Sequence, residues 1–552
     1  VSDRFHIKYF LAKSIFFLTL FIQSRIIQAQ VVAPFLANAT NEFRRDQLTG
    51  KAVNDSISLM LLPLNINNQK YSSINVLPRI GINMYLLPIQ HQLIYNHNLP
   101  YQLWNSGSFL PSRGLQSKLS FGLNLNLSKY LTIQIHPEYH YAENKDFDIG
   151  VSTTHQRRWA MLYLWYNNID RPQKYGDDKI SRLLMTQSFA KVNVAGFSFG
   201  LSNENLWWGP GKYTSIIMSD NAIGFTHFSF TTNTPKSTKI GNFEMQLIAG
   251  KLLGSSFYPP DTSLQYANIP LYHPKTNDWR LLTGLTINYH PKWIKGLYIG
   301  YSKTVNQYFK TARDRAEYFE LLKFRYTERP TDLLPTYDKI SSLSLRWLVP
   351  EANFEFYWEY GWNNDNRRNP GVFQNFQIGG GYLIGFSKLF ALKNKTYLEL
   401  NTEVIKLQQP PTYAQKNIAS WYAHPAVRHG HTNQGEVIGS AAGPGSNIIF
   451  TNFSWIGDNK KFGLDFERIT NNNDFIFYEA GTSNLSFTNF WIDYGIGSSG
   501  SWDFNNLTFT YKILKIYSFN YEWGSIPAPE PLFSKGKDRN NIFFTFSHIY
   551  RF

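Results

Sequence analysis

The stretch LQSKLSFGLNLNL, Leu115–Leu127, decides the fold. Leu119, Phe121, Leu123, Leu125 and Leu127 alternate with Lys118, Ser120, Gly122, Asn124 and Asn126, so the extended chain has one apolar and one polar face. Ser128-Lys129-Tyr130 predicts a turn, after which Leu131, Ile133, Ile135 and Tyr139 alternate with Thr132, Gln134, His136, Glu138 and His140. One such hairpin fits a soluble sandwich as well as a membrane wall. What separates the two is how often the pattern recurs and how its strands are connected.

It recurs to the last residue. Leu343, Leu345, Trp347 and Val349 lead through Pro350-Glu351-Ala352 to Phe354, Phe356, Trp358 and Tyr360, with Glu355 and Glu359 facing the other way. Leu507, Phe509, Tyr511, Ile513, Tyr517, Phe519, Tyr521 and Trp523 are read as one face, interrupted by Lys515. Ile542, Phe544, Phe546, Tyr550 and Phe552 form the last, and a terminal aromatic on an amphipathic strand is the kind of signal read by the barrel-insertion machinery. Eight short turns alternate with nine long connections, which predicts 18 strands with both ends on the short-turn side. An even count closes an antiparallel barrel without a free edge. The expected fold is therefore an all-β, transmembrane antiparallel barrel of about 18 strands, spanning residues 76–552.

Composition agrees. The 43 Phe, 34 Tyr and 15 Trp make 17% of the chain, as a lipid-facing wall with aromatic girdles requires. Mean hydropathy is nevertheless negative, unlike that of a helical membrane protein with runs of about 20 apolar residues. With no cysteine, disulfides, thiolate metal sites and cysteine nucleophiles are excluded. Lys8 and Lys13 precede the apolar run Ser14–Ile22, and Ala29 supplies a small residue at a cleavage position, so residues 1–29 read as a signal peptide. Residues 30–75 read as a periplasmic N-terminal segment with a short helix over Asn41–Leu48 stopped near Gly50. The net charge of +15 favours anionic partners such as acidic glycans or lipid phosphates. The basic residues are dispersed and accompany no binding motif, so no nucleic acid is expected.

The most unusual segment is NENLWWGPG, Asn203–Gly211, at the start of a long connection. Trp207 and Trp208 offer flat faces for a sugar ring, and Asn203, Glu204 and Asn205 offer groups for hydroxyls. The same string fits a loop that folds into the lumen, with Glu204 paired to a wall arginine. Glu138, His140, Glu143 and Lys145, leading to Arg157 and Arg158, fit a polyanion site or a charge ladder bracing the lumen. His424, His429 and His431 share a Gly-rich loop, where His429 and His431 fall on one side of an extended chain. No carboxylate pair completes a site with them, so neither metal nor cofactor is expected. The motifs G-x-S-x-G, H-E-x-x-H and the phosphate-cradling P-loop are all missing, and nothing nominates a catalytic set.

With these residues in view, the chain resembles the capsule-assembly Wzi family, in particular its Bacteroidetes-type members. The likeness rests on MYLLPIQHQLIYNHNLPY (84–101), HPEYHYAENKDF (136–147), NNIDRPQKYG (167–176), GLSNENLWWGPG (200–211), SDNAIGFTHFSFTTNTP (219–235) and FGLDFERITNNNDF (462–475). It implies an 18-stranded outer-membrane barrel with a periplasmic helical element and a lumen occluded by loops. It also implies a non-enzymatic surface lectin that holds or organises capsular polysaccharide, with long loops outside the cell. Carbohydrate contact is carried onto Asn203, Glu204, Asn205, Trp207 and Trp208, with Arg157 and Arg158 beside them. A porin or solute channel is the competing reading, and an enzyme acting on lipid or glycan a more remote one.

Overall fold

The computed structural model describes residues 37–51, 57–63, 73–77, 82–101, 105–149, 156–315, 321, 336–363, 379–411, 420–482, 490–523, 525–526 and 535–552. The expected signal peptide lies outside them. Eighteen wall strands close into one antiparallel barrel. They are β1 (Ile82–Asn96), β2 (Gly114–Asn126), β3 (Leu131–Ile135 continued by Pro137–Ala142), β4 (Ile180–Met185 continued by Phe189–Val194), β5 (Phe197–Ser202) and β6 (His227–Thr232). Next come β7 (Gly241–Leu252), β8 (Arg280–Pro291), β9 (Leu297–Tyr308), β10 (Tyr337–Val349), β11 (Phe354–Asn363) and β12 (Gly380–Ala391). The wall ends with β13 (Tyr397–Lys406), β14 (Asn447–Ile456), β15 (Lys460–Asn471), β16 (Trp491–Phe504), β17 (Leu507–Phe519) and β18 (Arg539–Tyr550). The barrel shuts where β18 pairs with β1, from Ile89↔Tyr550 to Asn96↔Phe543.

The wall is inverted relative to a soluble protein. On β2, Leu115, Leu119 and Phe121 are exposed while Gln116, Ser120, Asn124 and Asn126 are buried. Leu183 is 75% exposed, Leu464 66% and Ile496 63%, whereas Glu355, Glu359, Glu399 and Asn401 on inward positions are fully buried. Apolar side chains facing out and polar ones facing in suit a barrel whose outer solvent is lipid.

Three details differ from the sequence expectation. The last strand stops at Tyr550, not Phe552. Its neighbour β17 begins at Leu507, opposite Tyr550, and the edge of β1 below Ile89 is taken by Ser73–Leu77, which pairs with Ile82–Tyr85. Tyr521 and Trp523 leave the wall for a buried turn over the long-loop rim, because β17 ends at Phe519. β3 and β4 are each interrupted, at His136 and at residues 186–188.

The short helix is present as α1 (Ala37–Leu48) and ends at Gly50, whose φ is +69°. It sits in the short-turn mouth, where Leu48 packs with Met60, Tyr298, Leu348 and Leu389. The chain after it enters the lumen: Arg346 on β10 donates to Ser58 O (2.7 Å) and to Gln47 Oε1 (2.9 Å), and Ser58 donates to Glu244 on β7.

Candidate functional site: the plugged lumen and the loop cap

Asn203–Gly211 runs inward from the end of β5, and each polar side chain in it has a protein partner. Asn203 splices the interruption in β4: its side chain donates to Met185 O and accepts from Ser188 N (2.8 Å), while its own N–H donates to Ser188 O (3.0 Å). Ladder bonds lost at the break are thus replaced. Glu204 pairs with Lys191 on β4, and Ser202 Oγ donates to it (2.8 Å). The wall cation is a lysine, not the arginine expected from the sequence. Asn205 donates to Ala222 O (2.8 Å) and exchanges bonds with Gln187.

The indoles are buried. Trp207 packs with Leu59 and Leu62 and is 4% exposed; Trp208 is 0% exposed and donates to Gln246 Oε1 on β7 (2.7 Å). The two tryptophans pair antiparallel with Leu61–Leu62, so the segment after α1 and the long connection meet inside the barrel as a two-strand ribbon. Gly209 N–H donates to Met60 O (2.9 Å), and Pro210 O accepts from Arg44 of α1. Wall glycines make the space. A Cβ on Gly284 would lie 2.6 Å from the Trp208 ring, and one on Gly361 or Gly381 would lie 2.8 Å from Trp421.

Trp421 belongs to the other half of the plug, residues 420–446, which the sequence shows only as a Gly-rich loop with three histidines. It is fully buried, as are Tyr422, His431 and most of residues 436–446. Tyr422 Oη donates to Ile216 O (2.7 Å), Ser219 N–H donates to Ile438 O (2.8 Å), and His431 Nε2 lies 2.8 Å from Ile217 O. His429 meets Tyr308 Oη instead (2.9 Å), and Val427 N–H donates to His424 Nδ1 (2.8 Å). The three histidines therefore have separate partners, and burial holds His431 down to about 4 and His429 to about 3, where they are neutral at pH 7. Nearby, Tyr175 donates to Glu436, whose carboxyl burial pushes up to about 7.

The sequence signal that would have found this plug is a glycine on the inward register of a strand. Gly284, Gly361 and Gly381 each occupy a position where neighbouring residues of the same face are large or polar.

Over the plug stands a cap of long connections. Helix α2 (Gln156–Asn168) packs on helix α3 (Asn473–Thr482), and Leu162, Tyr163, Tyr166, Phe475, Ile476 and Trp523 form its core. Arg157 and Arg158 lie in the first turn of α2. Arg428 ties the cap together by donating to Asn167 O (3.0 Å), Pro274 O (2.9 Å) and His273 O (2.5 Å). Its outer surface keeps aromatics in solvent: Tyr258 is 65% exposed and Tyr266 41%. Glu138, His140, Glu143 and Lys145 are braces. Glu138 lies 3.9 Å from Lys118, His140 meets Gln116 and Arg182, and Lys145 lies 2.8 Å from Glu143.

Residues 109–306, which carry β2 to β8, most of β9 and the whole of Asn203–Gly211, match the family model described as capsule assembly protein Wzi. That segment is Wzi-like. The barrel as a whole resembles Wzi of Escherichia coli, an outer membrane protein described as a carbohydrate-binding β-barrel involved in group 1 capsule assembly. The two share 12% identity at a TM-score of 0.56, over 95% of this chain and 100% of that one. OccAB2 of Acinetobacter baumannii (11% identity, TM-score 0.40, 84% of this chain and 98% of that) and OccK8 of Pseudomonas aeruginosa (9%, 0.40, 85% and 98%) are further matches. No curated protein matches the chain. The fold is that of an outer-membrane barrel, with the Wzi-like segment supplying both wall and plug.

Proposed function

We propose that the protein is a non-enzymatic outer-membrane lectin that binds exported capsular polysaccharide and helps attach it to the cell surface. The observation that carries this reading is a Wzi-like barrel whose lumen is filled by its own chain while exposed aromatics stand on the long-loop side. A pore needs an open lumen, and a lectin needs a rigid outer surface. The long loops are taken to face the exterior, and α1 with the short turns the periplasm, with outer-membrane lipid against the apolar wall.

The residues nominated from the sequence then divide the work. Arg157 and Arg158, in the first turn of a cap helix, are proposed to meet an acidic polymer. Asn203, Glu204, Asn205, Trp207 and Trp208 are proposed to serve carbohydrate binding from below, by holding the plug on which the cap stands. Deletion of the gene should release polymer into the medium while synthesis continues. Normal capsule retention in that strain would overturn the proposal. Purified barrel should bind capsular polysaccharide without depolymerising it, and the variant R157A/R158A should bind more weakly with an unchanged melting transition.

A further inference from the structure

The plug fills the lumen unevenly. A cavity of about 440 Å³ remains between the plug and β14 to β18, β1 to β3 and the interruption of β4. That volume is in the range of small-ligand sites. A second cavity of about 270 Å³ lies at the short-turn mouth beside α1, and Asn41, Lys461, Ser501 and Ile549 line both. The two form one path rising from the short-turn end. On the long-loop side the path is crossed by bonds between connections: Gly107 N–H donates to Asp220 O (2.9 Å) and Asn105 to Tyr213 O (2.8 Å).

The lining is that of a polyol site with a positive bias. Lys118, Lys212, Lys461 and Lys512 face the upper cavity with Glu138, Asp220 and Asp465. Lys118 pairs with Glu138 and Lys512 with Glu467, whereas Lys212 and Lys461 share the single carboxylate of Glu399, so the surplus of positive charge lies at those two. Burial pushes the Asp220 carboxyl up to about 8, which removes one of those negative charges at neutral pH. Ser106, Ser499, Thr510 and Ser547 supply hydroxyls, and the Tyr213 ring lies 3.7 Å from that of Phe450, giving an aromatic patch for a sugar face. Two lining groups also carry a buried polar atom without a protein partner. His136 uses Nδ1 on Thr186 and leaves Nε2 unpaired; Asp465 uses Oδ1 on Asn452 and leaves Oδ2 unpaired.

We propose that this half-lumen is a saccharide-binding chamber, entered from the short-turn side and taking a short, carboxylate-bearing stretch of polysaccharide. It is separate from the cap surface and rests on the lectin reading only for the class of ligand. Lysines set against hydroxyls favour an acidic sugar over a neutral one.

The absence of cysteine makes the test clean. Ser499→Cys places a single thiol in the chamber of the full chain, purified in detergent. A small charged methanethiosulfonate should modify it readily in the free protein. Tetragalacturonate at about ten times its Kd should slow the reaction roughly tenfold, as simple occupancy requires, and maltotetraose should leave it nearly unchanged. In cells, an impermeant reagent should reach the thiol only after the outer membrane is opened. The same protection should persist in S499C/Y258A, which separates the chamber from binding at the cap. A thiol that is inert in the free protein, equal protection by maltotetraose, or no protection by tetragalacturonate would each overturn the proposal. Labelling from outside intact cells would overturn the direction of entry.

Discussion

The plug and the cap are both rich in aromatics, yet they treat them in opposite ways. In the plug, Trp208, Trp421 and Tyr422 have no exposed surface, and Trp208 and Tyr422 spend their polar atoms on Gln246 and Ile216. In the cap, Trp523 and Phe475 are buried while Tyr258 and Tyr266 remain in solvent. An indole whose faces are covered by Leu61, Gly284 and their neighbours adds stability, whereas a tyrosine ring in solvent offers an unoccupied surface. The difference teaches that the most conspicuous aromatic string of a carbohydrate-binding candidate can be its foundation, with contact made one layer above.

The comparison breaks most readily at Trp208. Trp208→Ala removes a fully buried indole from between the N-terminal ribbon and β8, which should destabilise the plug by about 3–5 kcal/mol. Planar bilayers should then show current steps that the wild type lacks. A closed, equally stable variant would mean that the plug does not depend on its indoles. Lys191→Met is expected to follow closely, at about 3 kcal/mol, because it leaves Glu204 buried without its cation. The double variant K191M/E204L should recover most of that loss, read as the temperature at which the folded band shifts on a gel.

The pH dependence of the plug should be visible but smaller. The Asp220 carboxyl, ordinarily near 3.8, is held up to about 8 by desolvation. The folded state therefore keeps a proton that the unfolded chain has lost. Stability from this group is fully present below pH 3.8 and is lost as pH rises through about 8. Protease sensitivity of residues 203–226 should rise between pH 6.5 and 8.5 in the wild type, a window above the range in which His429 and His431 change charge. Asp220→Asn should reduce that rise and leave the part owed to Glu436, which burial holds at about 7 beside Asn221; an unchanged slope would assign all of it to another group.

The wall was legible in the sequence because a barrel strand has a period of two and a fixed relation to lipid. Leu115–Leu127 and Leu131–Tyr141 predict their strands to within one residue, and the alternation of short and long connections predicts the strand number. The short helix was legible from Gly50. Less legible was everything that depends on which parts of a long connection turn inward. Residues 420–446 look like a polar Gly-rich loop because their partners are mostly carbonyls and N–H groups of distant backbone, as at Ser219 with Ile438 and Tyr422 with Ile216, and no local pattern in the sequence announces such partners. For the site, the sequence weighed sugar contact against packing at Asn203–Gly211 without the means to separate them. The splice of Asn203 across β4 depends on an interruption at residues 186–188 that no local pattern announces.

The cap provides the finest division between the two regions. Tyr258 meets Tyr272 only edge to face, with ring centres 6.1 Å apart, and Tyr266 lies in a two-residue strand that pairs with Ile269–Pro270. Neither ring has a core to lose, so Y258A/Y266A should leave stability within about 0.5 kcal/mol of wild type. If the exposed rings stack on polymer, the same change should weaken polysaccharide binding by roughly 1–2 kcal/mol, the range in which interface tyrosines matter, or about five- to thirtyfold in Kd. The opposite pattern, lost stability with retained binding, would make the cap a second foundation and return the search for the contact surface to Arg157 and Arg158. A loss of both would mean that cap and plug fold as one unit. The contrast between covered and open aromatics would then describe burial alone, with no bearing on which residues meet the glycan.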